Sequence, residues 1–118
     1  MSGQNGSPGA EKWPSGVVRL DPAVSSGGPE QGTDRVAIAG QGVFETFVTT
    51  MPFITSNSRV FVSLAEIDPN GDRKPFMGAA PLTVHNVVAR DDHTLQLRLE
   101  INWPEELVVV ASIAYFNV

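Results

Sequence analysis

Apolar and polar positions alternate near the C-terminal end of the chain. Every second residue from Leu95 to Ile101 is apolar, and polar residues stand between them. A period of two predicts a β-strand with one face on a hydrophobic core and the other in water. The segment Leu107–Phe116 is apolar on both faces and rich in valine, which is typical of a strand covered on both sides. We therefore predict an antiparallel hairpin of these two strands, with Trp103 at its tip.

Further strands are predicted upstream, each bounded by glycine, proline or turn-forming residues. The clearest is Arg59–Ile67, which precedes the turn sequence DPNG at 68–71. Residues 72–81 are predicted to form a loop, with Phe76 and Met77 directed inward. No segment has the periodicity of a helix of three turns, so the chain is predicted to be all-β, a small six-stranded antiparallel β-sandwich with an extended N-terminal arm. The predicted strands are 36–38, 43–50, 59–67, 82–90, 94–102 and 107–116.

The N-terminal segment differs in composition from the rest of the chain. Residues 1–34 hold seven of the eleven glycines and four of the nine prolines. Such a composition is common in disordered tails, but Trp13 offers an apolar anchor. Two interpretations stay open: a disordered tail, or an arm that lies along a neighbouring subunit through Trp13. The predicted division is an arm at 1–34 and a β-sandwich domain at 35–118.

Charge, cysteine content and hydropathy limit the partners of the protein. The net charge of −5 argues against nucleic acid, because binding it requires a basic surface. The absence of cysteine excludes disulfides and thiolate metal sites. No apolar run reaches the ~18 residues of a membrane helix, and the first residues lack the basic and apolar regions of a signal peptide. We expect no membrane insertion, no cleaved leader, and a location on a virion or outside the cell.

No group of residues has the spacing of an active site. Glycosidases need two carboxyl groups about 5 to 9.5 Å apart. Glu105 and Glu106 are adjacent in a predicted turn, as are Asp91 and Asp92, and solvated turn residues are the simpler interpretation. The two histidines, eight positions apart, have no acidic or histidine partner at ligand spacing. We therefore predict a protein that is not an enzyme and holds no metal or cofactor.

Trp103 is the strongest candidate for a binding residue. The face of an exposed indole can stack on a pyranose ring, while Asn102 and Glu105 beside it bond to the sugar hydroxyls. Asp68 and Arg98 are outer candidates for the same carbohydrate site. The alternative is that Trp103 caps the end of the hydrophobic core.

Two segments resemble those of a known lectin family. Residues 59–68, RVFVSLAEID, are similar to one strand motif of the H-type lectin domain, and INW at 101–103 followed by LVVVASIAY at 107–115 is similar to the end of that domain. The resemblance covers about residues 36–118. It implies a six-stranded sandwich that forms trimers and binds sugars of the N-acetylgalactosamine type at clefts between subunits. The chain departs from the family at Pro104, where a histidine is frequent, and within 76–80, which lacks the sugar-contacting arginine.

The strand Leu107–Phe116 has more apolar side chains than one core face can accept, so we predict that the protein is not a monomer. The apolar side chains of this strand form two sets, one on each face, and one set should lie at a subunit boundary. If the faces are reversed, the boundary set is the one that includes Val110. The predicted interface set is Val109, Ala111, Ile113 and Tyr115.

Together these features predict a glycan-binding, H-type lectin-like surface-recognition module. It is expected to be a homotrimer carried by its arm on a larger assembly, such as a phage tail or virion. The alternative is a purely structural protein of such a particle, with no sugar binding.

Overall fold

The computed structural model describes residues 16–19 and 26–117, which form two antiparallel β-sheets. The described residues contain no helix, and the all-β class predicted from the sequence is confirmed. The strands are β1 (Gly16–Arg19), β2 (Ser26–Gly27), β3 (Gln31–Gly40), β4 (Gly42–Val48), β5 (Arg59–Ile67), β6 (Pro75–Phe76), β7 (Leu82–Ala89), β8 (Leu95–Ile101) and β9 (Leu107–Phe116).

The two C-terminal strands occupy the centres of the two sheets. The larger sheet has the order β1-β3-β9-β5-β6, and β2 also pairs with β3. The smaller sheet has the order β4-β8-β7. Strand β3 pairs with β9 along its whole length, from Gln31 opposite Phe116 to Gly40 opposite Leu107. Neighbours on both sides therefore satisfy the backbone hydrogen bonds of β8 and β9.

The predicted C-terminal hairpin is wrong, because β8 and β9 belong to different sheets. Strand β8 pairs with β4 and β7, whereas β9 pairs with β3 and β5. The segment 102–106 is therefore a connection between sheets. A period of two shows which face of a strand is apolar, but it does not identify the neighbouring strand. Two strands that pack on one core satisfy the same pattern from opposite sheets.

Both sheets contribute to one hydrophobic cluster. We call the face of each sheet that carries this cluster its core face, and the opposite face its outer face. Every second residue of β8 from Leu95 and of β9 from Val109 lies on a core face, and each of these side chains is at most 2% exposed. These residues are Leu95, Leu97, Leu99 and Ile101 from β8, and Val109, Ala111, Ile113 and Tyr115 from β9.

The set predicted at a subunit boundary is therefore buried inside one chain, and that prediction is wrong. Val109, Ala111, Ile113 and Tyr115 pack in the cluster that the two sheets share. The sequence pattern separates the two apolar sets of β9 but does not show which one faces the core. The set with the larger side chains, including Ile113 and Tyr115, fills the core.

The other apolar set of β9 lies on the outer face of the larger sheet. Val110 is buried there with Ala37 and Ile67 in a second, smaller cluster. Phe116 is 40% exposed, and its neighbour Phe61 is 64% exposed. The two rings meet edge to face, with centroids 6.1 Å apart. One part of the outer face is thus covered, and another presents aromatic rings to solvent.

Strand β3 begins at Gln31, five residues before the strand predicted at 36–38 and within the segment predicted as an arm. Strands β1 and β2 also fall within 1–34, and both pair with β3. Polar residues dominate 31–34, so no apolar period indicates a strand there, yet pairing with β9 continues through them. Trp13, the predicted anchor of the arm, lies outside the described residues.

Candidate functional site

The connection 102–106 is anchored to two other parts of the fold. The backbone NH of Asn102 donates a hydrogen bond to the carbonyl oxygen of Pro81, at 3.0 Å, just before β7. The side-chain amide of Gln41, between β3 and β4, donates to the carbonyl oxygen of Pro104 at 2.7 Å. These two contacts lie on either side of Trp103. The loop therefore has a defined position at this end of the sheets.

Trp103 is 36% exposed. Part of the indole is therefore accessible to solvent, as a stacking platform requires. Asn102 and Glu105 on the same loop are exposed as well. The structure thus places three of the predicted carbohydrate-binding residues on one anchored loop.

Asp68 lies at the same end of the fold, but its carboxylate is hydrogen-bonded within the turn that follows β5. The C-terminal end of β5 lies beside the N-terminal end of β9, which directly follows the 102–106 loop. The carboxylate of Asp68 accepts a hydrogen bond from the backbone NH of Asn70 at 3.0 Å. A Cβ added at Gly71 would stand 2.7 Å from Oδ2 of Asp68. Asp68 therefore shapes the turn and remains an outer candidate only.

Arg98 does not join this loop, so the structure does not support its place in the site. Its side chain lies on the outer face of the smaller sheet, where Nη2 is 2.6 Å from Oε2 of Glu45. Nη1 also donates to the side-chain oxygen of Asn86 at 3.3 Å. The hydrogen bond from Arg98, and secondly its charge, lower the pKa of Glu45. Five residues of extended chain, roughly 16 Å, separate Arg98 from Trp103.

A pocket that the sequence did not indicate lies close to the same loop. It opens between β5, β6 and the start of β7 and has a volume of about 430 Å³. Phe76 and Met77 line it and are 46% and 98% exposed, so the prediction that they point inward is wrong. Phe76 belongs to β6, which pairs with the edge of β5, and this edge position leaves the ring open to solvent. Glu66 supplies the carboxylate of the pocket.

One signal in the sequence could have indicated this pocket. Val60, Val62 and Leu64 form one face of the predicted strand, and the next position on that face is Glu66. In the structure Glu66 stands opposite Val109, so it lies on the core face. A carboxylate at a position where the pattern requires an apolar residue marks the place where the core opens.

A second groove, of about 470 Å³, crosses the outer face of the larger sheet. Strands β3, β5 and β9 provide its walls, and Phe61 is its most exposed large apolar residue. Ser63 and Ser112 stand opposite each other on its floor. The groove thus combines an aromatic edge with hydroxyl groups.

The histidines and paired carboxylates occupy separate structural positions. His85 Nε2 lies 2.9 Å from Oε1 of Glu100 on the smaller sheet, and His93 Nδ1 lies 2.7 Å from the carbonyl oxygen of Ile54. Among the described residues, no group of three histidine, aspartate or glutamate side chains is arranged to hold a metal ion. In the same part of the chain, no helix has the length and apolar character needed to cross a membrane.

The adjacent aspartates stabilise turns. Asp91 accepts a hydrogen bond from the backbone NH of Ser56 at 2.8 Å, and this bond is the main reason that its pKa is lowered. The hydroxyl of Thr94 donates to Asp92 at 2.6 Å and lowers the pKa of that carboxyl. Glu105 and Glu106 are exposed. All four side chains are at the surface, in line with their interpretation as turn residues.

Comparison of the chain with protein-family models, with curated proteins and with solved structures finds no match. The H-type lectin resemblance therefore stays a prediction based on the segments 59–68 and 101–115.

Proposed function

We propose that the protein is a non-enzymatic glycan-binding module of the H-type lectin kind, with its site at the 102–106 loop. The observation that carries the proposal is the partly exposed indole of Trp103 between two loop anchors. A preorganised aromatic plate loses little conformational entropy when a ligand binds. Asn102 and Glu105 supply hydrogen-bonding groups beside it.

The proposed fold is a sandwich of six principal strands: β3, β9 and β5 facing β4, β8 and β7. The hydrophobic cluster with members from both sheets supports this arrangement. Strands β1, β2 and β6 are short additions to the larger sheet. In this fold the 102–106 loop crosses one end of the sandwich, and all five of its residues are exposed.

The proposed ligand is a neutral saccharide on a biological surface. A sugar of the N-acetylgalactosamine type offers one apolar patch for the indole and hydroxyl groups for the neighbouring side chains. The net charge of −5 disfavours polyanionic glycans at low salt. A single site of this kind is expected to bind with a Kd of ~1 mM, which corresponds to a binding free energy of about −4 kcal/mol. Several copies in one assembly would gain avidity.

The test is a sugar titration followed by tryptophan fluorescence. The chain has two tryptophans, so Trp13→Phe is the background in which Trp103 is the only reporter. We expect N-acetylgalactosamine or a related neutral sugar to change the emission of Trp103 at millimolar concentration. Calorimetry should then show that Trp103→Ala abolishes binding, whereas Phe47→Ala, which removes an exposed ring on the smaller sheet, leaves it unchanged. No saturable response up to tens of millimolar would reject this function.

We further propose that the chain assembles with itself, as a trimer, through the outer face of the larger sheet. The exposed rings of Phe61 and Phe116 support this choice of face. Exposed aromatic clusters are typical of protein interfaces. The part of the segment 1–34 that precedes β1 would attach the assembly to a virion, phage tail or other extracellular particle.

The same aromatic patch favours the alternative function, a structural component of a particle that binds no sugar. Both proposals require self-association, but only the first requires a ligand at Trp103. If Phe61→Lys disrupts assembly and no sugar perturbs Trp103, the structural function replaces the lectin-like one.

A further inference from the structure

The pocket between β5, β6 and β7 opens at the edge of the hydrophobic core. Leu64 and Leu82 line it, and both pack against the cluster that the two sheets share. Phe76, Met77 and Pro81 form its outer part. The walls are thus apolar from the core side outward. A volume of about 430 Å³ is within the range of small-molecule sites, roughly 300–1,000 Å³.

Glu66 carries the charge of this pocket. Its side chain is partly buried on the core face, opposite Val109 in the register of β5 and β9. Within the described part of the chain, no group donates a hydrogen bond to its carboxylate or forms an ion pair with it. Its two oxygens can therefore accept hydrogen bonds from a ligand in the pocket.

Gly78 makes room for that carboxylate. A Cβ added at Gly78 would collide with Oε1 of Glu66 and approach the ring of Phe76 within 3.4 Å. The carboxylate therefore rests against bare backbone, with an aromatic ring next to it. Any larger residue at 78 would displace Glu66 from its present position.

We propose that this pocket binds a small organic cation, a primary ammonium on an aromatic or branched aliphatic body. The ammonium would donate hydrogen bonds to Glu66 and lie near the ring of Phe76, and both interactions favour a positive charge. The apolar body would occupy the space between Leu64, Leu82 and Pro81. Glu66 is the only charged side chain among the residues that line the pocket, and the other lining side chains are apolar. This site is therefore separate from the sugar site at Trp103 and does not depend on it.

The experiment uses phenethylamine as the probe and follows the backbone amide resonances of residues 78–80 and of Leu82 by NMR. We expect saturable shifts with phenethylamine at neutral pH. The isosteric alcohol 2-phenylethanol should bind about tenfold more weakly or worse, because it lacks the charge-assisted hydrogen bond. Binding should also weaken when salt is raised, since part of the attraction is electrostatic. Equal affinity for the amine and the alcohol would overturn the proposal.

Two variants and one matched control identify the residues. Glu66→Gln keeps the shape of the side chain and should reduce phenethylamine affinity about tenfold. Gly78→Val keeps the charge but fills the space of the carboxylate, and it should reduce affinity as well. Glu30→Gln removes the same charge from an exposed position next to Gln31, at the opposite end of β3, and should leave affinity unchanged. Unchanged affinity in Glu66→Gln, or the same loss in Glu30→Gln, would reject the site.

Discussion

The hydroxyl of Tyr115 donates a hydrogen bond to the carbonyl oxygen of Gly28, 2.8 Å away, although 87 positions separate the two residues. The contact joins the end of β9 to the segment that leads into β3. Two glycines make the approach possible: a Cβ at Gly27 would stand 2.6 Å from the tyrosine oxygen, and one at Gly32 would stand 2.7 Å from it. The segment that leads into β3 is therefore stabilised by the last strand.

Removal of this hydroxyl should destabilise the protein modestly. Tyr115→Phe loses one hydrogen bond and leaves the Gly28 carbonyl without its partner, at a cost of about 1 kcal/mol. Burial raises the pKa of Tyr115, so the unfolded state ionises at lower pH than the folded state. The stability that the protonated hydroxyl contributes is complete below the unfolded pKa of about 10. It is lost as the pH rises from there through the folded pKa. Urea titrations at pH 7 and above pH 10 should show that Tyr115→Phe loses less free energy of unfolding at alkaline pH than the native chain does. An equal loss in the two proteins would contradict this role of the hydroxyl.

The glycine beside the tyrosine should tolerate no side chain. Gly32→Ala places a methyl group against the ring of Tyr115 and the backbone of Gly27, and overpacking of this kind costs about 1–3 kcal/mol. Gly28→Ala is the matched control, because a Cβ there meets nothing within 4 Å. Denaturant midpoints should therefore fall for Gly32→Ala and change little for Gly28→Ala. Equal midpoints for the two variants would show that the close approach is not required.

The two faces of the larger sheet should respond differently to a lysine. Ile113→Lys places an unpaired charge in the core, at a cost of several kcal/mol, comparable with the ~5–15 kcal/mol that stabilises a typical domain. Circular dichroism should show an unfolded or strongly destabilised chain. Phe61→Lys alters an exposed side chain, so the fold should persist while light scattering shows weaker self-association. A folded Ile113→Lys protein, or undiminished assembly of Phe61→Lys, would contradict this assignment of faces.

Local pattern predicted the strands well where one face or both faces are apolar. Strand β5 has the predicted bounds, and β8 and β9 lie where the periods of Leu95 to Ile101 and Leu107 to Phe116 place them. The partners of β8 and β9 depend on contacts far along the chain, which an alternating pattern does not encode. The predicted hairpin was wrong for this reason. The predicted interface at Ile113 was wrong because the pattern does not show which face of β9 meets the core.

The site was predictable only to the extent that it is local. Trp103 shares one loop with Asn102 and Glu105. An aromatic residue among polar ones within a loop is a local pattern, and this pattern predicts a binding site. The anchor at Gln41 is 63 positions from Pro104, so no sequence spacing connects the two. The pocket at Glu66 likewise requires β6 and β7 to meet β5, and that arrangement follows from sheet topology.

Arg98 should influence Glu45 and leave the proposed sugar site unaffected. Its hydrogen bonds and charge lower the pKa of Glu45, with a smaller contribution from Gln96. Arg98→Met should therefore raise the pKa of Glu45 toward its ordinary value, which carboxyl NMR titration measures. The ionised carboxylate contributes stability above its unfolded pKa, and this contribution is lost as the pH falls. Sugar affinity should equal that of the native chain; a loss of affinity would return Arg98 to the binding site.

The amide of Gln41 should be needed to hold the Trp103 loop in place. Gln41→Ala removes the hydrogen bond to the Pro104 carbonyl, so the free energy of unfolding should fall by only about 0.5–1.5 kcal/mol. The loop should exchange its amide hydrogens faster, and sugar affinity should drop several-fold because the platform is less preorganised. Gln31→Ala is the control, since Gln31 is an exposed glutamine at the opposite end of β3. If Gln41→Ala changes neither exchange within 102–106 nor sugar affinity, the loop is held by its other contacts, such as the hydrogen bond from Asn102 to Pro81.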